Sequence, residues 1–166
     1  MKIFNKTSMI SWMIIVWICK VFLFSLPYKF TLHPNTQHIF GIIGQWMKNF
    51  IGDSVGQLFI TYGSYAVGSV ELLISLILLS PALFFFLKKI GLLTQTPNIY
   101  LLHATGGVLA SCVMAGAVFF HLFTPLGIEV IHESKSDGGT LFYAAISILI
   151  LGFSMATINI IKYKKG

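Results

Sequence analysis

Residues 66–79 read Ala66-Val-Gly-Ser-Val-Glu71-Leu-Leu-Ile-Ser75-Leu-Ile-Leu-Leu, an apolar run with one carboxylate inside it. The run lies within a longer apolar stretch, about 59–87, and a helix crosses a hydrocarbon core in about 20 residues. A charged side chain at the centre of such a span costs at least about 2.5–3.5 kcal/mol. Glu71 therefore needs a partner, or it carries a proton. The rest of the chain can be read as what surrounds it.

Composition gives the same class. Of the 166 residues, 56% are hydrophobic and 10% charged, whereas a soluble domain has roughly 25% charged residues. Three more stretches are long and apolar enough to span: about 9–27, interrupted by Lys20, about 99–126 and about 140–161. No soluble domain fits between them, so residues 1–166 form a single membrane domain. The expected fold is all-α, an antiparallel four-helix transmembrane bundle. Lys2 and Lys6 before an apolar run imitate a signal peptide, but Lys20 breaks the run and no small-x-small cleavage site follows. It is read as a retained first span.

All eleven basic residues are Lys. Without Arg there is no bidentate phosphate recognition, and the lysines are scattered among apolar runs, so nucleic acid is not an expected partner; the bilayer is. Lys2, Lys6, Lys88, Lys89, Lys162, Lys164 and Lys165 fall on one side of the spans, and Lys29, Lys48 and Lys135 on the other. The positive-inside rule then places both termini in the cytoplasm. Cys19 and Cys112 lie in apolar segments without a C-x-x-C pattern and read as small buried hydrophobes.

The first outer loop has structure of its own. Ile39, Ile43, Trp46, Met47, Phe50 and Ile51 recur at helical spacing after His33-Pro34-Asn35-Thr36, which supplies helix-start chemistry. A short interfacial helix is expected over about 36–51, with Trp46 at headgroup level. The simpler reading is an anchor; the other is a lid over the bundle mouth. The second outer loop, Ile131–Gly139, is polar and ends in a turn signal.

Two helical stripes carry the candidate chemistry. Ser64, Gly68, Glu71 and Ser75 share one face of the second span, and Pro81 is set to kink that span. His103, Gly107, Ala110, Met114, Ala117 and His121 share a face of the third. The two histidines are 18 positions apart, or about 27 Å at 1.5 Å per residue, so they cannot hold one metal. By depth, Lys20 can approach Glu71 and Lys29 can approach His121; the sequence leaves the pairing open. Glu71, His121, Lys29 and Lys20 are the candidate ligand-binding or proton-handling residues, with His103, Ser64 and Ser75 secondary. Gly106, Ala110, Gly116, Ala145, Gly152 and Ala156 read as helix-packing positions. His33, His38 and His132 lack ligand spacing on one element, so no metal site is read. The chain has no nucleophile triad, phosphate loop, zinc motif or c-type haem motif, which counts against a self-contained hydrolase.

These residues resemble the DoxX-like family of small four-span bacterial membrane proteins. The resemblance covers roughly residues 10–160. It is carried by Tyr28-Lys29-Phe30-Thr31, by Val67-Gly68-Ser69-Val70-Glu71-Leu72-Leu73, and by Met114-Ala115-Gly116-Ala117-Val118-Phe119-Phe120-His121. Lys29, Glu71 and His121 stand where the family has its lysine, Gly-x-x-Glu-Leu glutamate and closing histidine. The resemblance implies a bacterial inner-membrane, redox-associated subunit, with some relatives linked to thiosulfate–quinone electron transfer and others to oxidative-stress complexes.

The expected function is thus binding of a small quinone-type ligand, as an accessory subunit of an oxidoreductase. No intrinsic cofactor is expected, and the isolated chain is not expected to be an enzyme. Other membrane subunits or a redox partner are the expected protein partners. A proton-coupled small transporter and an assembly factor for a membrane complex are the alternatives.

Overall fold

A computed structural model of the chain describes residues 6–165, with side chains described from Met9 onward. Lys2, counted in the charge asymmetry, lies outside the described residues. The elements are α1 (Lys6–Phe30), α2 (Pro34–Phe50), α3 (Asp53–Lys89), α4 (Ile99–Phe123), β1 (Ile131–His132), β2 (Lys135–Ser136) and α5 (Thr140–Lys165). Among them α1, α3, α4 and α5 are long and apolar enough to cross a membrane. They form the antiparallel bundle, and α2 is the extra short helix. The beginning of α1 and the end of α5 share the terminal end of the bundle; α2 and the β1–β2 hairpin occupy the lid end.

Two spans are longer than the apolar runs suggest. α1 was expected to stop at Pro27 but runs on to Phe30, with Pro27 inside it. Prolines are tolerated in membrane helices where other groups satisfy the freed backbone. α3 begins at Asp53 rather than near 59, because its first turns carry Asp53, Gly56 and Gln57 and are not apolar. It also continues through Pro81. Proline cannot bond the carbonyl four residues back, and here the Ser80 hydroxyl donates to that carbonyl, on Ile77, at 2.8 Å.

The terminal half of the bundle is tightly closed. The nearest approach of α4 to α5 is backbone on backbone: a Cβ on Gly107 would lie 2.6 Å from the Gly152 carbonyl oxygen, and one on Gly152 would lie 2.9 Å from that of Gly107. Ser111 Oγ donates to the Leu149 carbonyl across the same crossing at 2.9 Å. Gly106 receives the Leu78 side chain from α3. Trp17 Nε1 donates to Ser147 Oγ at 3.0 Å, and Asn159 Nδ2 to Ser11 Oγ at 3.1 Å, joining α1 to α5. Ile15, Ile18, Phe22, Ile74, Leu78, Ile148 and Met155 fill the centre with no exposed surface. Gly116, read as a packing glycine, is the exception: nothing lies within 4 Å of a Cβ placed there.

The lid end is built differently. His33 caps α2, accepting from Asn35 N at 3.3 Å, with Pro34 in the first turn. Gly52, at φ +125, turns the chain straight back into α3. The resulting helical hairpin closes at Gly44 and Gly56, where a Cβ on Gly56 would lie 2.5 Å from the Gly44 carbonyl oxygen. α2 therefore packs on the bundle as a cover, with Phe40, Ile43 and Thr36 buried, rather than lying apart as an anchor. Ile43 joins Leu126 and Val130 in a small second core. The polar second loop is a β-hairpin, Ile131 opposite Ser136, turning on Glu133 and Ser134 at φ 51 and 62, the backbone signature of a type I′ turn.

Replacing Gly56 with Ala should lower thermal stability by about 1–3 kcal/mol, the usual cost of overpacking. Gly41→Ala on the same hairpin meets nothing within 4 Å and should hold or raise the melting temperature of the purified protein, since alanine is the better helix former by about 1 kcal/mol.

Candidate functional site

Gly68, Glu71 and Ser75 of the α3 stripe face α1. Gly68 sits against Lys29 and Phe30, and Ser75 against Cys19, whose thiol is 4.0 Å from the Ser75 carbonyl. Glu71, 3% exposed, meets Lys29 in this seam. Lys29 Nζ donates to Glu71 Oε2 at 2.5 Å and to Ser25 Oγ at 2.7 Å. Ser25 Oγ is itself 2.8 Å from Oε2. The three side chains form a closed triangle, and Ser25 and Lys29 reach it because they lie one helical turn apart on α1.

Both contacts to the carboxylate, from Lys29 and from Ser25, fall on Oε2. Among the described residues Oε1 accepts none, and Glu71 lines a cavity of about 850 Å³ within the lid half of the bundle. Val21 and Phe24 of α1, Val67 of α3, Val113 and Ala117 of α4 and Ala144 of α5 give it apolar walls, and α2 closes it with Ile39, Phe40 and Ile43. Its size lies in the range of ligand sites, about 300–1,000 Å³. Lys29, Ser25 and His121 line it with Glu71. A donor, an acceptor and an imidazole thus converge on a space with greasy walls.

His121 holds the cover in place. Its Nδ1 is 2.6 Å from the Gly127 carbonyl; a carbonyl only accepts, so Nδ1 carries the proton. That bond fixes the segment that places Leu126 against Ile43. Phe142 meets the His121 ring edge-on at 5.6 Å. Lys29 and His121 share the cavity, but the cation's partner is Glu71 and not the histidine.

Lys20 is corrected. It does not approach Glu71; it is exposed, with its Nζ 5.7 Å from the centre of the Trp17 ring. Lys20 and Lys29 are nine positions apart, two and a half turns, and so lie on opposite faces of α1. The secondary candidates also separate from the site. Ser75 donates to the Glu71 carbonyl rather than its carboxylate, at 2.8 Å. Ser64 Oγ is buried without a hydrogen-bond partner. His103 is buried at the terminal end against Trp12, ring centres 5.3 Å apart. Of the outer histidines, His38 and His132 lie with ring centres 4.5 Å apart and planes tilted by 36°, His132 Nδ1 bonds Asn35 Oδ1 at 2.8 Å, and His33 packs on Tyr28. Among the described residues no three metal-ligating side chains converge.

The sequence reading missed three contributors. Ser25 was hidden because the first span was ended at Pro27, which left Lys29 outside the helix that pairs the two. Asp137 lines the cavity and accepts from the backbone N–H of Val130, Gly139 and Leu141, tying the hairpin to the start of α5; Asp before a Gly-Gly turn and a helix was the available signal. Cys112, read as buried, is exposed and lines the edge of the cavity. Cys19 is buried.

The chain matches no family model, and neither the curated proteins nor the solved structures yield a match to it.

Lys29→Met leaves Glu71 uncompensated in an apolar seam and should cost about 3–5 kcal/mol, as removal of one member of a buried pair does. The double variant Lys29→Met/Glu71→Met should recover much of that loss, and Lys20→Met should be neutral. Thermal denaturation of the four proteins in one detergent checks all three outcomes.

Proposed function

We propose that this chain is a DoxX-like protein of the bacterial cytoplasmic membrane that binds a quinone-type ligand in the cavity at Glu71 and serves as an accessory subunit of a redox complex. The observation that carries the reading is the pairing of an apolar cavity of about 850 Å³ with one compact polar cluster on its wall. A ring with oxygen substituents suits the cluster, and an apolar chain suits the walls.

In this reading Lys29 donates to a ligand carbonyl through a proton not used on Ser25 or Glu71; an ammonium has three donors. Glu71 Oε1 accepts from a ligand hydroxyl. Quinone chemistry couples electron transfer to proton transfer, and this chain supplies the proton-handling side: Glu71 is a base within reach of the ligand oxygen, and Lys29 and Ser25 compensate its charge. When Glu71 takes a proton from a quinol hydroxyl, the electrons pass to a redox partner in the same membrane; in the reverse direction the partner supplies the electrons and protonated Glu71 returns the proton. His121 bears on the site by holding the cover.

The proposed orientation puts the terminal end in the cytoplasm. Lys88, Lys89, Lys162, Lys164 and Lys165 lie at that end, and Lys29, Lys48 and Lys135 towards the lid end. Lysine excess marks cytoplasmic loops, so the cover and hairpin face outward.

The test is extraction of gently purified protein followed by mass spectrometry of the bound small molecules. Quinone is expected in the wild type and depleted in Glu71→Gln, with Lys20→Met unaffected. If neither wild type nor variant holds a specific molecule and Glu71→Gln only melts earlier, the reading is replaced by a structural role for the pair.

A further inference from the structure

The cavity does not end at the helices that wall it. α3 and α4 touch in the terminal half of the bundle, where Leu78 fills the space at Gly106, and again at the lid end, where Phe59 and Phe120 meet at 5.7 Å. Between these contacts the cavity is edged by Ala66 and Val70 of α3 and by Cys112 and Gly116 of α4. Ala66, Val70 and Cys112 are all exposed, so each faces both the cavity and the outside of the bundle. At Gly116 a Cβ would meet nothing within 4 Å. These observations describe a slot bounded above and below by packed side chains and floored by small ones.

The gap between α1 and α5 is filled differently. There the cavity is edged by the larger side chains of Phe24, Tyr28 and Leu141, all of them exposed. At the lid end α2 and the hairpin are joined by the Asn35–His132 hydrogen bond. The α3–α4 slot is thus the opening edged by the smaller side chains, and it opens on a flank that faces lipid in a membrane-spanning bundle.

We infer that the α3–α4 slot at Gly116 and Cys112 is a tail subsite, through which the apolar chain of a membrane-dissolved ligand runs from the polar cluster into the bilayer. The slot is continuous with the cavity that holds Ser25, Lys29 and Glu71, so one molecule can place its head on the cluster and its chain in the slot. The same slot admits the ligand sideways from the membrane. This inference rests on the quinone reading for the head group; the slot itself rests on geometry alone.

Two measurements test it. The first compares binding of benzoquinones with a methyl or a decyl chain to wild type and to Gly116→Phe, which has open space for the ring. The wild type is expected to bind the decyl compound at least about tenfold more tightly, since each buried methylene adds to affinity. In Gly116→Phe the gain is lost, while the methyl compound binds as in wild type and the melting temperature holds. Equal decyl binding by wild type and Gly116→Phe overturns the subsite.

The second measurement needs no quinone. In liposomes, alkylation is mapped to Cys112 by peptide mass spectrometry. An alkyl maleimide that partitions into the bilayer should modify Cys112, a sulfonated maleimide should not, and Gly116→Phe should slow the reaction. Alkylation by the sulfonated reagent at the same rate overturns the slot as a bilayer opening. Lipophilic labelling that Gly116→Phe slows, with no quinone binding in wild type, supports the slot and removes only the quinone reading.

Discussion

Glu71 is a carboxylate 3% exposed in a bundle whose core is mostly aliphatic and aromatic, and the arrangement around it follows from that. Water cannot solvate it there, so compensation comes from within the chain. A full positive charge and a hydroxyl meet a single carboxylate oxygen, Oε2. This requires α1 to stay helical past Pro27 so that Ser25 and Lys29 project together, and it requires Gly68 so that the stem of Lys29 can lie against α3. A buried pair of this kind contributes little net stability when set against apolar replacements, but removing one partner is costly. The pair therefore fixes the register of α1 on α3 more than it strengthens the bundle.

The two halves of the bundle use different contacts. In the terminal half, glycines bring α4 and α5 into backbone contact at Gly107 and Gly152, and Leu78 seals α3 to α4 at Gly106. Without apolar driving force between helices in lipid, such close packing and the interhelical hydrogen bonds are what hold them. In the lid half the helices separate, and α2 spans the resulting space. The cover is held by the Gly44–Gly56 contact, by the small core of Ile43, Leu126 and Val130, and by the His121–Gly127 bond. The open half is consequently also the half with the polar cluster, and a binding reading of the molecule starts from that coincidence.

The class, the four spans and the existence of a short extra helix are legible in the chain alone, because hydrophobic runs and 3.6-residue periodicity are local properties. So is the placing of Glu71, Gly68 and Ser75 on one face, since helix phase is set by spacing alone. Element ends were less legible where polar residues begin a long helix, as at Asp53, or where a proline sits inside one, as at Pro27. Which lysine meets Glu71 is settled by packing: Lys20 and Lys29 are both compatible in depth, and the choice depends on how α1 is rotated about its axis, which contact with α3 fixes. Packing settles too that Gly116 borders a space while Gly107 and Gly152 close one. A glycine permits close approach, but whether a neighbour takes up that approach depends on where the other helix crosses, and no local pattern in the chain records that crossing.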